Sequence, residues 1–264
     1  MSLLSTVASG QRLMPPKVVL YGVGGIGKTT FAASAPNPVF MFTEDGQGSL
    51  DVARFEPGGS PTFRRWEDII AAVGELLTTE HDFKTLVLDS VDFAESLLWK
   101  YTAAKHGAES IEDKAVLGYG KGYVYAAEEL RHLLEGLDAL RREKGMAIIL
   151  IAHSEIKRFE SPDAESYDRY QVALQKRSAA LIHDWSDCLL FAQWKGYVVK
   201  DEEKGGKERR RATGRGERIM FTEERPAYWA KNRYSLPHEL PLSWPAFIEA
   251  MTATTTTNDN NDTE

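Results

Sequence analysis

Residues 17–30 read Lys17-Val18-Val19-Leu20-Tyr21-Gly22-Val23-Gly24-Gly25-Ile26-Gly27-Lys28-Thr29-Thr30. An apolar run passes straight into a glycine-rich turn, and the turn ends in Lys-Thr-Thr ahead of a helix-compatible stretch to Ala35. Gly22, Gly27, Lys28 and Thr29 complete the G-x-x-x-x-G-K-[ST] spacing of a phosphate-binding loop. The chemistry dictates these residue types. Glycines let the backbone curl, so that successive N–H groups between Gly22 and Thr30 can point at one anion. A helix starting near Lys28 adds its positive N-terminal end. The Lys28 ammonium can then reach the β- and γ-phosphates of ATP, and the Thr29 hydroxyl can sit on Mg²⁺. A glycine-rich turn without a ligand is the competing reading, and the buried strand before the loop and the helix after it speak against it.

Outward from this stretch, apolar runs alternate with helical patterns. Val39-Phe40-Met41-Phe42 is a second buried strand, ending in Thr43-Glu44-Asp45-Gly46, and Thr85-Leu86-Val87-Leu88-Asp89 is a third. Met146 to Ala152 is a fourth, apolar throughout. Pro36 and Pro38 stop the helix after the loop. Amphipathic helices are expected over Trp66 to Leu77, Phe93 to Lys105 and Tyr123 to Glu143, the last with Leu130, Leu133, Leu134, Leu137 and Leu140 on one face. A polar, loop-like stretch runs from His153 to Lys176. A short helix (Ser178 to Asp184) and strands at Cys188 to Gln193, Gly196 to Lys200 and Arg218 to Thr222 follow. This order predicts an α/β fold, a mostly parallel sheet flanked by helices with antiparallel strands at its C-terminal edge.

With 264 residues, 42% hydrophobic and 27% charged, the chain fits one domain with a full core, placed here at residues 16–250. Residues 1–15 read as a lead-in. The segment 251–264, nearly all threonine, asparagine and acid from Thr252 onward, predicts a disordered tail. A single cysteine, Cys188, excludes an intrachain disulfide. No apolar run approaches a membrane span, so cytoplasm is the expected compartment and no membrane partner is expected. The net charge of −7 argues against a generic nucleic-acid binder. Its distribution is uneven: residues 204–218 hold seven basic and two acidic side chains, expected at a mobile hairpin tip.

Several polar residues stand where chemistry is expected. Asp89 ends a buried strand, where a carboxylate can hold Mg²⁺ through water; a turn-forming Asp before Ser90 is the plainer alternative. Hydrolysis needs another carboxylate to activate water, and Glu44, at the end of the second strand, is the candidate. His153 closes the fourth strand near the expected γ-phosphate; a strand-end histidine bonded to a neighbouring carbonyl is equally compatible. Beyond it, Lys157, Arg158, Phe159, Arg169, Tyr170 and Lys176 offer cations for phosphates and rings for base stacking, as single-strand binding requires. Five acids in the same stretch dilute that reading. Arg209, Arg210 and Arg211 in the basic run, and Gly118-Tyr119-Gly120-Lys121-Gly122-Tyr123, are further candidate contacts.

The ordered set Y-G-V-G-G-I-G-K-T-T, F-T-E-D-G, L-V-L-D-S, G-Y-G-K-G-Y, I-A-H-S-E-I-K and A-K-N-R-Y-S-L-P resembles the small RecA-like P-loop ATPases of bacteriophages, of the Sak type, across residues 16 to 250. The loop alone also resembles that of partition and nitrogenase-type ATPases, whose signature lysine is Val23 here, and that of the signalling NTPases of immunity proteins. The Sak resemblance implies a RecA-like core, ATP and Mg²⁺ as cofactors, and single-stranded DNA as partner in phage recombination or annealing. It also implies a homo-oligomer with ATP at subunit junctions, and a single-strand DNA-binding protein as a further partner. It makes Glu44 the catalytic glutamate and puts His153 in the place of a sensor that couples phosphate state to a DNA-binding loop. Lys231 and Arg233 match a K-N-K/R pair that reaches the γ-phosphate of the neighbouring subunit. An ATP-gated switch or loader without DNA contact is the reading from a different class, and the acidic net charge favours it. A small-molecule kinase needs a lid and an acceptor pocket, and neither has a signature here.

Overall fold

The computed structural model describes residues 3–8, 14–45, 48, 50–160, 165–202 and 208–259, with residues 197–202, 208–215 and 254–259 described as backbone only. In chain order the elements are β1 (Lys17–Gly22), α1 (Lys28–Ala33), β2 (Pro38–Phe42), β3 (Ala53–Arg54), α2 (Trp66–Thr78), β4 (Thr85–Asp89), α3 (Val91–Lys105) and α4 (Lys121–Ala139). Then follow β5 (Ala147–Phe159), β6 (Tyr167–Val172), α5 (Lys176–Trp185), β7 (Cys188–Glu202), β8 (Glu208–Phe221), β9 (Lys231–Asn232), β10 (Glu239–Pro241) and α6 (Trp244–Asp259).

The apolar runs dictate the centre of the sheet. Its order is β10-β8-β7-β1-β5-β4-β2-β3, parallel from β7 to β3, with β8 and β10 antiparallel at one side. A parallel strand covered on both faces must be apolar on both, and alternate residues divide accordingly. Val19, Tyr21, Leu86, Leu88, Ile148 and Leu150 face α2, α3, α4 and α5. Val18, Leu20, Phe40, Val87, Ile149 and Ile151 face α1 and α6. The leucine stripe of α4 is buried throughout, as its spacing predicts. Strand β5 lies between β1 and β4, so the C-terminal ends of β1, β5, β4 and β2 form one continuous edge. That edge carries the phosphate loop, His153, Asp89 and Glu44.

Four expectations need correction. The stretch from His153 to Lys176 is not a loop: β5 continues to Phe159 and pairs antiparallel with β6, from Ser154↔Val172 to Phe159↔Tyr167. Its more buried positions include Glu155, Lys157 and Arg169 while Ile156 is exposed, so no apolar alternation marks it. The basic run is mostly strand, not a tip, because β8 begins at Glu208 and pairs with β7 from Glu202↔Glu208; only 203–207 lie outside the described residues. Residues 196–200 belong to one long β7. The tail expectation fails over 251–259, which continue α6. Trp244, Phe247 and Met251 bury one stripe of that helix in the core, with Phe31 packed edge-on to both aromatic rings, and this anchoring extends the helix into weak helix formers. Residues 260–264 lie outside the described residues.

Candidate active site

The phosphate loop is shaped by close approach as much as by conformation. Gly22 ends β1 against β7, where any β-carbon would collide with the Ala192 carbonyl oxygen. Gly27 holds φ 105°, a left-handed conformation that side chains disfavour, and caps α1. Lys28 is only 6% exposed. Its ammonium donates to the carbonyls of Gly22 and Val23, both at 3.0 Å, and among the described residues it has no carboxylate at ion-pair distance. Burial lowers its pKa. A buried cation without a paired carboxylate, beside an open cleft of about 340 Å³, fits a polyphosphate anion.

Thr29 and Asp89 meet across the cleft, the hydroxyl donating to Asp89 Oδ2 at 2.7 Å. Burial pushes the Asp89 carboxyl up to about 6. A hydroxyl and a buried carboxylate in contact at the loop's mouth suit a hard cation that keeps water ligands. Among the described residues no group of three or more His, Cys, Asp or Glu side chains could hold a metal by themselves, so phosphate oxygens or water must complete the shell.

Glu44 and His153 line the same cleft. Imidazole Nε2 lies 3.8 Å from Glu44 Oε1, and Nδ1 is 2.9 Å from Asp92 Oδ2. The His153 backbone N–H also donates to Asp92 Oδ1 at 3.0 Å. Asp92 thus grips one residue twice, and the bond to the ring raises the histidine's pKa. With Nδ1–H committed to Asp92, Nε2 faces the cleft. Sequence reading missed Asp92, since an acid in the first turn of a helix is commonplace. It also missed Arg218, which lines the cleft from β8 and was hidden in the basic run.

Other expected residues are spent elsewhere. Lys231 and Arg233 lie at the opposite end of the sheet, where β9 pairs with Cys188 and Leu189 at the start of β7. Lys231 Nζ and Arg233 Nη2 donate to the Asp184 carbonyl at 3.0 and 3.1 Å, serving the C-terminal end of α5. They cannot reach the cleft of their own chain. Arg169 is 7% exposed, paired with Glu224 at 3.0 Å and stacked on Phe159. Tyr170 stacks on Phe191. Arg169 is therefore spent on packing and pairing, while Phe159 and Tyr170 are half-buried, in contact with Arg169 and Phe191. Lys157 bonds Glu155 and the Leu174 carbonyl, while Arg158 and Lys176 are exposed. The side chains of Arg209, Arg210 and Arg211 lie outside the described part of β8.

A parallel sheet whose edge joins a phosphate loop, a Thr–Asp pair and a glutamate defines a P-loop NTPase. The particular family follows from sequence: residues 14–234 match the family model described as an AAA domain. The chain belongs to that family, which implies nucleotide binding and ATPase chemistry. No curated protein matches the chain. Among the described residues no helix is long and apolar enough to cross a membrane.

Proposed function

We propose that the protein is a Mg²⁺-dependent ATPase of RecA-like type that binds single-stranded DNA and acts in phage recombination or annealing. One observation carries the link between nucleotide and DNA: His153, in reach of Glu44 at the cleft, is also the residue from which the β5–β6 hairpin springs. A change at the cleft therefore has a direct covalent route to the hairpin. Lys28, Thr29, Thr30 and the backbone of residues 22–27 hold the phosphates. Thr29 and Asp89 hold the cation, which supplies charge neutralisation on the phosphate oxygens. Glu44 orients and deprotonates the attacking water, and His153 presents Nε2 to the cleft beside it.

The match of Lys231 and Arg233 to the K-N-K/R pair is the ground for a role in trans, since they lie far from the cleft of their own chain. A second copy would present them to the γ-phosphate, making the active species a homo-oligomer with ATP at its junctions. They would first have to leave the end of α5. Arg158 on the hairpin and Lys176 at the start of α5 are exposed cations that could meet phosphates. A single-strand DNA-binding protein is a natural further partner.

Phosphate release from ATP, with and without single-stranded DNA at two salt concentrations, tests this reading. DNA stimulation in the wild type that disappears in Lys28→Ala is expected. Hydrolysis indifferent to DNA, with no DNA binding at low salt, refutes the DNA-motor reading and leaves an ATP-gated switch or loader, which the net charge of −7 favours.

A further inference from the structure

We infer that Arg218 is a phosphate-binding residue of its own chain's nucleotide site, a cation held over the phosphate loop by the antiparallel edge of the sheet. The inference rests on the reading of the cleft as a nucleotide site and adds a ligand contact that lies outside the loop motif. Three observations carry it.

The first is position. The guanidinium lies on the bare α-carbon of Gly27: a β-carbon built there would stand 2.5 Å from Arg218 Nη1 and 3.4 Å from Cζ. Gly27 immediately precedes Lys28, so two cations flank the N-terminus of α1, and both line the cleft.

The second is that the side chain is open to a ligand. Among the described residues no carboxylate pairs with the Arg218 side chain; Arg64, Arg131, Arg142, Arg158 and Arg177 share that lack, but of these arginines Arg218 alone lines the cleft. An arginine beside a glycine loop and facing an open cleft presents its planar fork of donors to an oxyanion.

The third is how the chain aims it. Arg218 is opposite Trp194 on β7, and the pairing slips between Trp194 and Gly196. Gly216 adopts φ 77°. An irregularity of this kind re-aims side chains, and here the residue just beyond it swings over the loop. The Leu242 N–H donates to the Arg218 carbonyl at 3.0 Å, which fixes the backbone from β10's side.

The ligand is the polyphosphate of a nucleoside triphosphate. Arg218 supplies in cis a charge-assisted contact that Lys28 alone does not make. Losing such a contact weakens binding about 10- to 100-fold.

The test uses the full chain, a fluorescent ATP analogue (mant-ATP), and inorganic tripolyphosphate as competitor. Arg218→Ala is expected to weaken mant-ATP binding about 10- to 100-fold, with Arg218→Lys in between. Its melting temperature without ligand should match the wild type's, since no ion pair among the described residues is lost. Tripolyphosphate should compete less well in Arg218→Ala by the same factor. Binding within twofold of wild type overturns the inference. So does weakened mant-ATP binding with unchanged tripolyphosphate competition, which would place the arginine on the base or ribose. Loss that varies with protein concentration would show action across a subunit junction and overturns the assignment in cis. A wild-type chain that binds neither probe overturns this inference together with the reading of the cleft, whereas normal wild-type binding with an indifferent Arg218→Ala overturns this inference alone.

Discussion

Asp89→Asn should stabilise the ligand-free protein while removing its function. Asp89 is 5% exposed, and its pKa rises from 3.8 to about 6 because burial disfavours the charged form. Between those values the folded chain keeps a proton that the unfolded chain has lost. Stability therefore falls as pH rises through that window and stays reduced above it. At about 1.4 kcal/mol per pH unit, the ionised carboxylate costs the fold about 3 kcal/mol at neutral pH. Asparagine keeps the shape and can still accept from Thr29, but it carries no charge to desolvate. Urea denaturation of both proteins, without Mg²⁺ or nucleotide, measures the difference. At about pH 7.5 the variant should be more stable by about 2–3 kcal/mol, and the gap should close as pH falls below about 4. An equally stable or weaker variant at neutral pH, or a gap that persists in acid, would refute the reasoning. The same substitution should abolish the rise in melting temperature that Mg²⁺ and ATP give the wild type.

Gly22→Ala should destabilise the protein by about 1–3 kcal/mol or more, because β1 and β7 must separate to admit the methyl group; a thermal melt unchanged from wild type would count against the close approach. Asp92→Asn should lower the pKa of His153, so an NMR titration of that imidazole should move to lower pH, and an unmoved curve would show that Asp92 does not hold it. The wild-type pair stabilises the fold while His153 is charged, and that contribution is lost as pH rises through its raised pKa. Arg169→Ala should cost about 1–3 kcal/mol of stability through lost packing and pairing, while Arg158→Ala should leave stability alone and weaken single-strand DNA binding. The reverse pattern in melts and binding titrations would return Arg169 to the DNA interface.

The parts of the fold legible in the sequence are those written in local signals. The phosphate loop depends on consecutive residues, and β1, β2, β4 and the first half of β5 are short apolar runs because both their faces are covered. Asp89 and Glu44 were readable because they end such runs. The missing parts depend on distant partners. Asp92 matters through His153, 61 residues away. Arg218 matters through Gly27, although its strand lies two places across the sheet from β1. The β5–β6 hairpin lacks a clean apolar alternation because its inner positions include Arg169, an arginine neutralised by Glu224 and set between the rings of Phe159 and Trp229. The threonine-rich end of α6 has poor intrinsic helix propensity, and only the buried Trp244–Phe247–Met251 stripe explains it.

The first turns of α3 have a mechanical consequence. Asp92 holds one foot of the hairpin at His153, and Glu95, one turn further on, accepts from the Gln175 N–H at 3.0 Å just past the other foot. The Glu95 carboxyl is buried, and burial raises its pKa. Both feet are thus bolted to one short length of helix that starts two residues after Asp89, with about 4.5 Å of axial rise between the bolts. A tilt of α3 of a few degrees reaches the hairpin's far end as a proportionally larger sweep, the way a short crank turns a long arm.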